Sequence, residues 1–81
     1  MGGGYEGNDE ASAGMAAHFS QTITMKEHYR LATRQAAAHE RAAEWDEAVR
    51  WWQSAGQWAI THLERHWCES RTQLCARRLR E

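Results

Sequence analysis

Residues 45–59 read WDEAVRWWQSAGQWA and hold four of the five tryptophans in a chain with one phenylalanine and no proline. On a helix, where successive residues lie ~100° apart, the apolar residues of this stretch do not form one stripe. Trp45, Ala48, Val49, Trp52, Ala55 and Ala59 share one arc. Trp51 and Trp58 stand roughly 100° away on a second seam. A helix in a small domain needs one buried face. The second tryptophan seam must therefore meet something else: another helix of this chain, a second copy, or a partner.

Upstream, Thr24-Met25-Lys26-Glu27 has the form of a capping box that opens a helix. Met25, Tyr29, Ala32, Ala36, His39 and Ala43 then recur at spacings of 4, 3, 4, 3 and 4, a heptad seam whose alanines permit close helix approach. His39 on that seam reads as a histidine hydrogen-bonded at a helix interface. This predicts a first helix over 25–43. Asp46 is a good N-cap with Glu47 in the first turn, which places a break near Glu44–Asp46 and a second helix over 46–60. No glycine or proline enforces the break, so one long helix through Trp45 is the alternative. Gly56 costs a helix ~1 kcal/mol against alanine and marks either a bend or a close backbone approach.

Downstream, Thr61-His62-Leu63-Glu64 repeats the capping-box pattern and predicts a third helix over 62–79. Leu63, Trp67 and Leu74 form its expected inner face, with Cys68, Cys75 and Leu79 on a flank. Arg71 falls within the apolar arc and needs a carboxylate: Glu40, Glu44 or an acidic group on another molecule. Residues 1–22, rich in glycine and polar side chains, read as a disordered tail, with one loose helical turn at Met15–Phe19. The expected fold is all-α, a three-helix hairpin or bundle in a domain spanning 23–81. Three helices of this length are marginal alone, and dimerisation or docking on a partner would add stability.

The 81 residues make at most one domain, and no window approaches the ~20 apolar residues of a membrane span. The start lacks the basic-then-apolar order of a signal peptide. Two cysteines without a Cys-x-x-Cys motif fit a reducing cytoplasm. A net charge of -1 gives no general attraction to nucleic acid or anionic lipid.

Tests for chemistry return little. Cys68 and Cys75 lie ~10 Å apart along a helix axis, too far for a disulfide, so they read as buried free thiols or as partners in a cross-chain pair. His62 and His66 have the spacing of two zinc ligands, but Cys68 does not share their face, and no metal or other cofactor is expected. There is no phosphate loop, nucleophile elbow or His-Glu-x-x-His helix, so no enzyme is expected. Arg65, Arg71, Arg77, Arg78 and Arg80 scatter around the third helix, and Glu64, Glu69 and Glu81 dilute them to +2. A DNA-reading helix has a one-sided basic face, which argues against direct nucleic-acid binding.

From Tyr29 onwards the chain resembles the small AraC negative regulators, the ANR family of Gram-negative bacteria and their mobile elements. The resemblance is carried by Tyr29, Ala32, Ala36-Ala37, Glu40, Trp45, Ala48, Trp52, Ala55 and the cluster Trp67-Cys68-x-x-Arg71-x-x-Leu74-Cys75. The chain departs from the family pattern at Ala43-Glu44, where a glycine often precedes the aromatic, and at Trp51, more often aliphatic. The resemblance implies a helical protein that binds an AraC-type transcription activator directly, blocks its action and lowers virulence-gene expression, with contact to a nucleoid protein in some relatives. The runner-up is a phage- or plasmid-encoded inhibitor of a host defence or nucleoid protein on the same scaffold. A weak DNA-binding accessory comes third. Because aromatic and arginine residues dominate protein interfaces, Trp51, Trp58, Trp67 and Arg71 are the expected partner-binding residues. Tyr29, Ala36, Trp45, Trp52, Leu63, Leu74, Cys68 and Cys75 are assigned to the core or to a homodimer contact.

Overall fold

The computed structural model describes residues 24–81, and within them the chain is all-α: helix α1 over 24–41, α2 over Trp45–Trp58 and α3 over His62–Arg80. The expected tail and the turn at Met15–Phe19 lie outside the described residues. No described helix is long and apolar enough to cross a membrane.

The heptad seam of α1 is the side it buries. Ala32 and Ala36 are fully enclosed, while Met25, Tyr29 and His39 are half-buried. The capping box expected at Thr24–Glu27 does not form. Thr24 is itself helical, and the Glu27 carboxylate turns forward to the Arg30 guanidinium at 2.8 Å instead of back to a capping position.

The break between α1 and α2 exists, but it is built differently from the expectation. Ala43 adopts φ 59°, the left-handed conformation that normally falls to glycine after a helix end. The Glu44 N–H donates to the His39 carbonyl at 2.8 Å, and the Ala43 N–H donates to the Glu40 carbonyl at 3.0 Å. These two bonds are the Schellman pair, which satisfies carbonyls that the ended helix would leave open. The residue flanking the start of α2 is Glu44 rather than Asp46, and its side chain makes no capping bond. Its carboxylate instead accepts from the His39 ring, with Oε1 2.7 Å from Nδ1. Asp46 and Glu47 sit in the first turn, where carboxylates favour the positive end of the helix dipole.

The capping box at the start of α3 is fully formed. The Thr61 hydroxyl accepts the Glu64 N–H at 3.1 Å, and the Glu64 carboxylate accepts the N–H groups of Thr61 and Ile60, each at 3.0 Å. Those amide donors hold the Glu64 carboxyl below its ordinary pKa, Thr61 contributing most and Ile60 next. At the other end Arg77, Arg78 and Arg80 occupy the last turn, complementing the negative end of the dipole.

The three helices enclose a core of small side chains, Ala32, Ala36, Ala48, Ala55, Cys68 and Cys75, packed around the indole of Trp52. The largest side chains that are fully enclosed are the two cysteines. Small residues let helix axes approach closely, and Gly56 marks where α2 meets α3: a Cβ placed there would lie 3.6 Å from the Cys68 Cβ. The close backbone approach expected at Gly56 is not found: the only neighbour of that Cβ is a side-chain atom at an ordinary contact distance. Pairing directions follow from the residues in register. His28 meets Trp58 and His39 meets Trp51, so α1 and α2 are antiparallel. Tyr29 meets Cys68 and Glu40 meets Cys75, so α1 and α3 run the same way.

The face α3 turns inward differs from the expected one. Cys68 and Cys75, assigned to a flank, are the buried line, at 1% and 0% exposure. Leu63 is 81% exposed, Trp67 51% and Leu79 54%, and Leu74 is half-buried. The physical reason is spacing between helices. Against the alanine and glycine side of α2 there is room for a thiol but not for an indole or isobutyl group, so α3 rotates its large residues outward and keeps its small ones in.

Candidate functional site

The second tryptophan seam of α2 is met by α1. The Trp58 ring stacks on His28 with centroids 4.3 Å apart and planes 19° from parallel. Trp51 lies parallel to His39 at 6.5 Å. Both indoles are half-buried. Of the three occupants open to this seam, another helix of the chain is the one the structure supplies. Trp51 and Trp58, the expected partner contacts, therefore each pack one side on α1 and keep the remainder at the edge of surface depressions.

The polar centre of the fold is Glu40 on α1. Its Oε1 accepts the Trp52 indole N–H at 3.0 Å, the Arg71 Nε–H at 3.3 Å and the Cys75 thiol at 3.4 Å, and its other oxygen pairs with the Arg71 guanidinium. The two charged side chains keep 18% and 27% of their exposure. Among the partners weighed for Arg71, Glu40 is the one found. The pair lies between helices, where both charges are mostly withdrawn from water and a missing partner would be costly.

From this pair a line of contacts reaches the surface. The Arg71 guanidinium stands 5.3 Å from the centre of the Trp67 ring, within the range of a cation–π contact. Trp67 also meets Trp52 edge-on, with centroids 6.3 Å apart and planes at 89°, the geometry that aromatic quadrupoles favour. Arg71 thus touches Glu40 on one side and Trp67 on the other, and half of the Trp67 indole remains open to solvent.

Around Trp67 the outer side of α3 forms a shallow depression lined by Trp67, Ser70, Arg71, Leu74, Arg77 and Arg80 among others. Leu63 extends the apolar strip by one turn. The Glu64 carboxylate, at the edge of this strip, is occupied by its two backbone amides. Arg78 pairs with Glu81 at 3.8 Å and lies over the Trp45 ring at 5.9 Å. Arg77 and Arg80 pair with no carboxylate among the described residues. Neither had been singled out in the sequence as a site residue. Their signal was present: once Cys68 and Cys75 are taken as the inward line, the helical wheel puts Arg77 on the same outer side as Leu63 and Trp67.

The remaining assigned residues lie in the core. Ala36 and Trp52 are buried, while Tyr29 and Trp45 are half-buried and pack against the buried cluster. Cys68 and Cys75 are free thiols. The Cys68 thiol donates to the Tyr29 hydroxyl at 3.9 Å. Burial pushes both thiols above their ordinary pKa, partly offset by Tyr29 at Cys68 and by Arg71 at Cys75. Tyr29 is pushed up to about 12, by burial first and by the neighbouring Cys68 second. Elevated thiol pKa values lower the thiolate fraction and hence reactivity. His62 and His66 are both exposed, whereas Cys68 faces the core.

Fold and surface together describe a small helical scaffold with an outward strip of large apolar residues on α3 bordered by arginines. No protein-family model, curated protein or solved structure matches the chain.

Proposed function

We propose that this protein is a non-enzymatic transcriptional regulator that works in the cytoplasm by binding an AraC-type activator and lowering expression of the genes it controls. The observation that carries the docking part of this reading is the outer strip of α3. Trp67 at 51% exposure and Leu63 at 81% lie beside arginines on a helix whose opposite side fills the core. Exposed aromatic and arginine side chains grouped this way are the usual anchors of protein interfaces. The choice of an AraC-type partner rests on the resemblance to the small AraC negative regulators. The Trp67-Cys68-x-x-Arg71-x-x-Leu74-Cys75 cluster carries that resemblance and spans both the buried line and the exposed strip.

The test is calorimetric titration of the full chain against an AraC-type activator, with Trp67→Ala and Leu63→Ser as variants. Wild-type binding should be saturable, and each variant should weaken it about tenfold or more, the usual scale for an interface anchor. Unchanged affinity in both variants removes the α3 strip from the interface, and no binding of any activator removes the regulator reading.

A further inference from the structure

We propose that the occupant of the α3 strip is an amphipathic helix with acidic flanks, laid along α3 from Leu63 towards Arg80. This rests on the reading of the strip as a docking surface and specifies the chemistry of what docks.

Three observations carry it. The strip is long and narrow. Leu63 to Arg80 spans about 25 Å at the rise of an α-helix, the length of a partner helix of about five turns, and its apolar residues recur at helix-in-groove spacing. Its rim has one sign. Arg71, Arg77 and Arg80 line the depression beside Trp67, and the carboxylates around it are each engaged: Glu40 by Arg71, Glu81 by Arg78 and Glu64 by the amides of Thr61 and Ile60. Of those arginines, Arg71 is engaged by Glu40, whereas Arg77 and Arg80 pair with no carboxylate among the described residues. An occupant with carboxylates opposite them gains attraction, and a basic one is repelled.

The same charges disfavour a second copy of the chain. Parallel packing of two α3 strips sets Arg77 and Arg80 against their equivalents. Antiparallel packing sets them against the first turn of α3, which carries the positive end of the dipole and whose carboxylate is already occupied. The competing groove on the far side of α2 and α3, floored by Trp52, Gly56 and Cys68 and bordered by Gln53 and Gln57, has no comparable one-signed rim.

The experiment titrates the isotopically labelled full chain with two synthetic helical peptides that share one leucine–alanine face, one flanked by glutamates and the other by lysines. The glutamate peptide should shift the Trp67 indole N–H and the backbone amides of α3 in a saturable manner. The lysine peptide should bind at least tenfold more weakly. Arg77→Gln with Arg80→Gln should weaken the glutamate peptide at least tenfold while the thermal melt falls by no more than a few degrees, since neither side chain pairs with a carboxylate among the described residues and only their complement to the helix dipole is lost. Trp67→Ala should also weaken it, and the arginine variant keeps the test valid if that substitution loosens the Trp52 contact. Equal binding of both peptides, or shifts confined to the groove at Gly56, overturns the proposal. So do α3 shifts that grow with protein concentration alone, which would mean a second copy. Loss of α3 shifts on replacing Glu6, Asp9 and Glu10 by their amides, without peptide, would mean that the chain's own N-terminal segment is the occupant and would overturn it too. A glutamate peptide that binds where no activator does refutes the regulator reading and leaves this one standing. An activator that binds the strip with no acidic residue facing it does the reverse.

Discussion

Glu40 and Arg71 are 31 residues apart in sequence and share an ion pair between α1 and α3, with the Arg71 Nε 3.3 Å from the Glu40 carboxylate. The same carboxylate receives the indole N–H of Trp52 from α2, so one side chain joins all three helices. Because Arg71 also lies over Trp67, this internal pair fixes where the exposed indole stands.

Removing Glu40 should therefore be costly. Glu40→Ala leaves the Trp52 N–H, the Cys75 thiol and the Arg71 guanidinium without their acceptor, and should lower stability by about 2–3 kcal/mol. Glu40→Gln retains an acceptor for Trp52 and should cost less. Urea unfolding followed by tryptophan fluorescence gives both values. A loss under about 0.5 kcal/mol for the alanine variant, a surface-like value, would show that the pair contributes little.

Ala43 occupies a left-handed position that suits glycine better. Ala43→Gly should raise stability by about 0.5–1 kcal/mol, the relief of Cβ crowding less the added freedom of the unfolded chain. Thermal melts by circular dichroism report it. A decrease would mean that the turn at Ala43 is not held in the conformation described.

Gly56→Ala should be stabilising for a separate reason. The added methyl meets the Cys68 Cβ at 3.6 Å, an ordinary packing distance, and helix propensity favours alanine by ~1 kcal/mol. A gain in the urea midpoint of α2–α3 unfolding is expected. Gly56→Val, with branching at the same position, should lose it through crowding. If alanine destabilises the protein, α2 and α3 approach more closely than this distance.

Stability should fall in alkali before it would for a protein with exposed phenols and thiols. Cys68, Cys75 and Tyr29 are all raised by burial, Tyr29 to about 12 from an ordinary 10.0. The unfolded chain then releases these protons at lower pH than the folded one. The stabilising contribution is complete below the ordinary thiol pKa of 9.0 and is lost as pH climbs from there towards the folded value of Tyr29. Melting temperatures measured at pH 8 and pH 10.5 should show the decline, and Tyr29→Phe should lessen it. A flat profile across that interval contradicts the burial of these groups.

The parts of the fold written in local chemistry were legible in the sequence, and those set by helix spacing were not. The alanine seam of α1 and the Thr61–Glu64 box are local; the box forms as read, and the seam does as far as His39, its last member Ala43 falling in the turn. The matching pattern at Thr24–Glu27 fails because the backbone there is already helical and Arg30 takes the Glu27 carboxylate. The turn at Ala43 carries no glycine and offered no direct signal, so Asp46 drew the helix start one residue late. The larger miss is the orientation of α3. Ranking by hydrophobicity places Leu63, Trp67 and Leu74 inward, and Leu74 does pack against the core, but closeness to Ala48, Ala55 and Gly56 selects for size, and Cys68 and Cys75 take the buried line from Leu63 and Trp67. That rotation moves the candidate site from the α2 tryptophans, which pair with His28 and His39, to the far side of α3.

A core made of Ala32, Ala36, Ala48, Ala55, Cys68 and Cys75 has an asymmetric tolerance to mutation. Truncation, the commonest way to damage a protein interior, has almost no volume left to remove at these positions. Enlargement has nowhere to go: one or two added carbons at Ala36 or Cys75 push whole helices apart instead of filling a gap. Drift in this sequence is therefore bounded by a ceiling on side-chain size at each of these sites more than by a demand for oiliness. Serine should be admitted at some of them where leucine is refused.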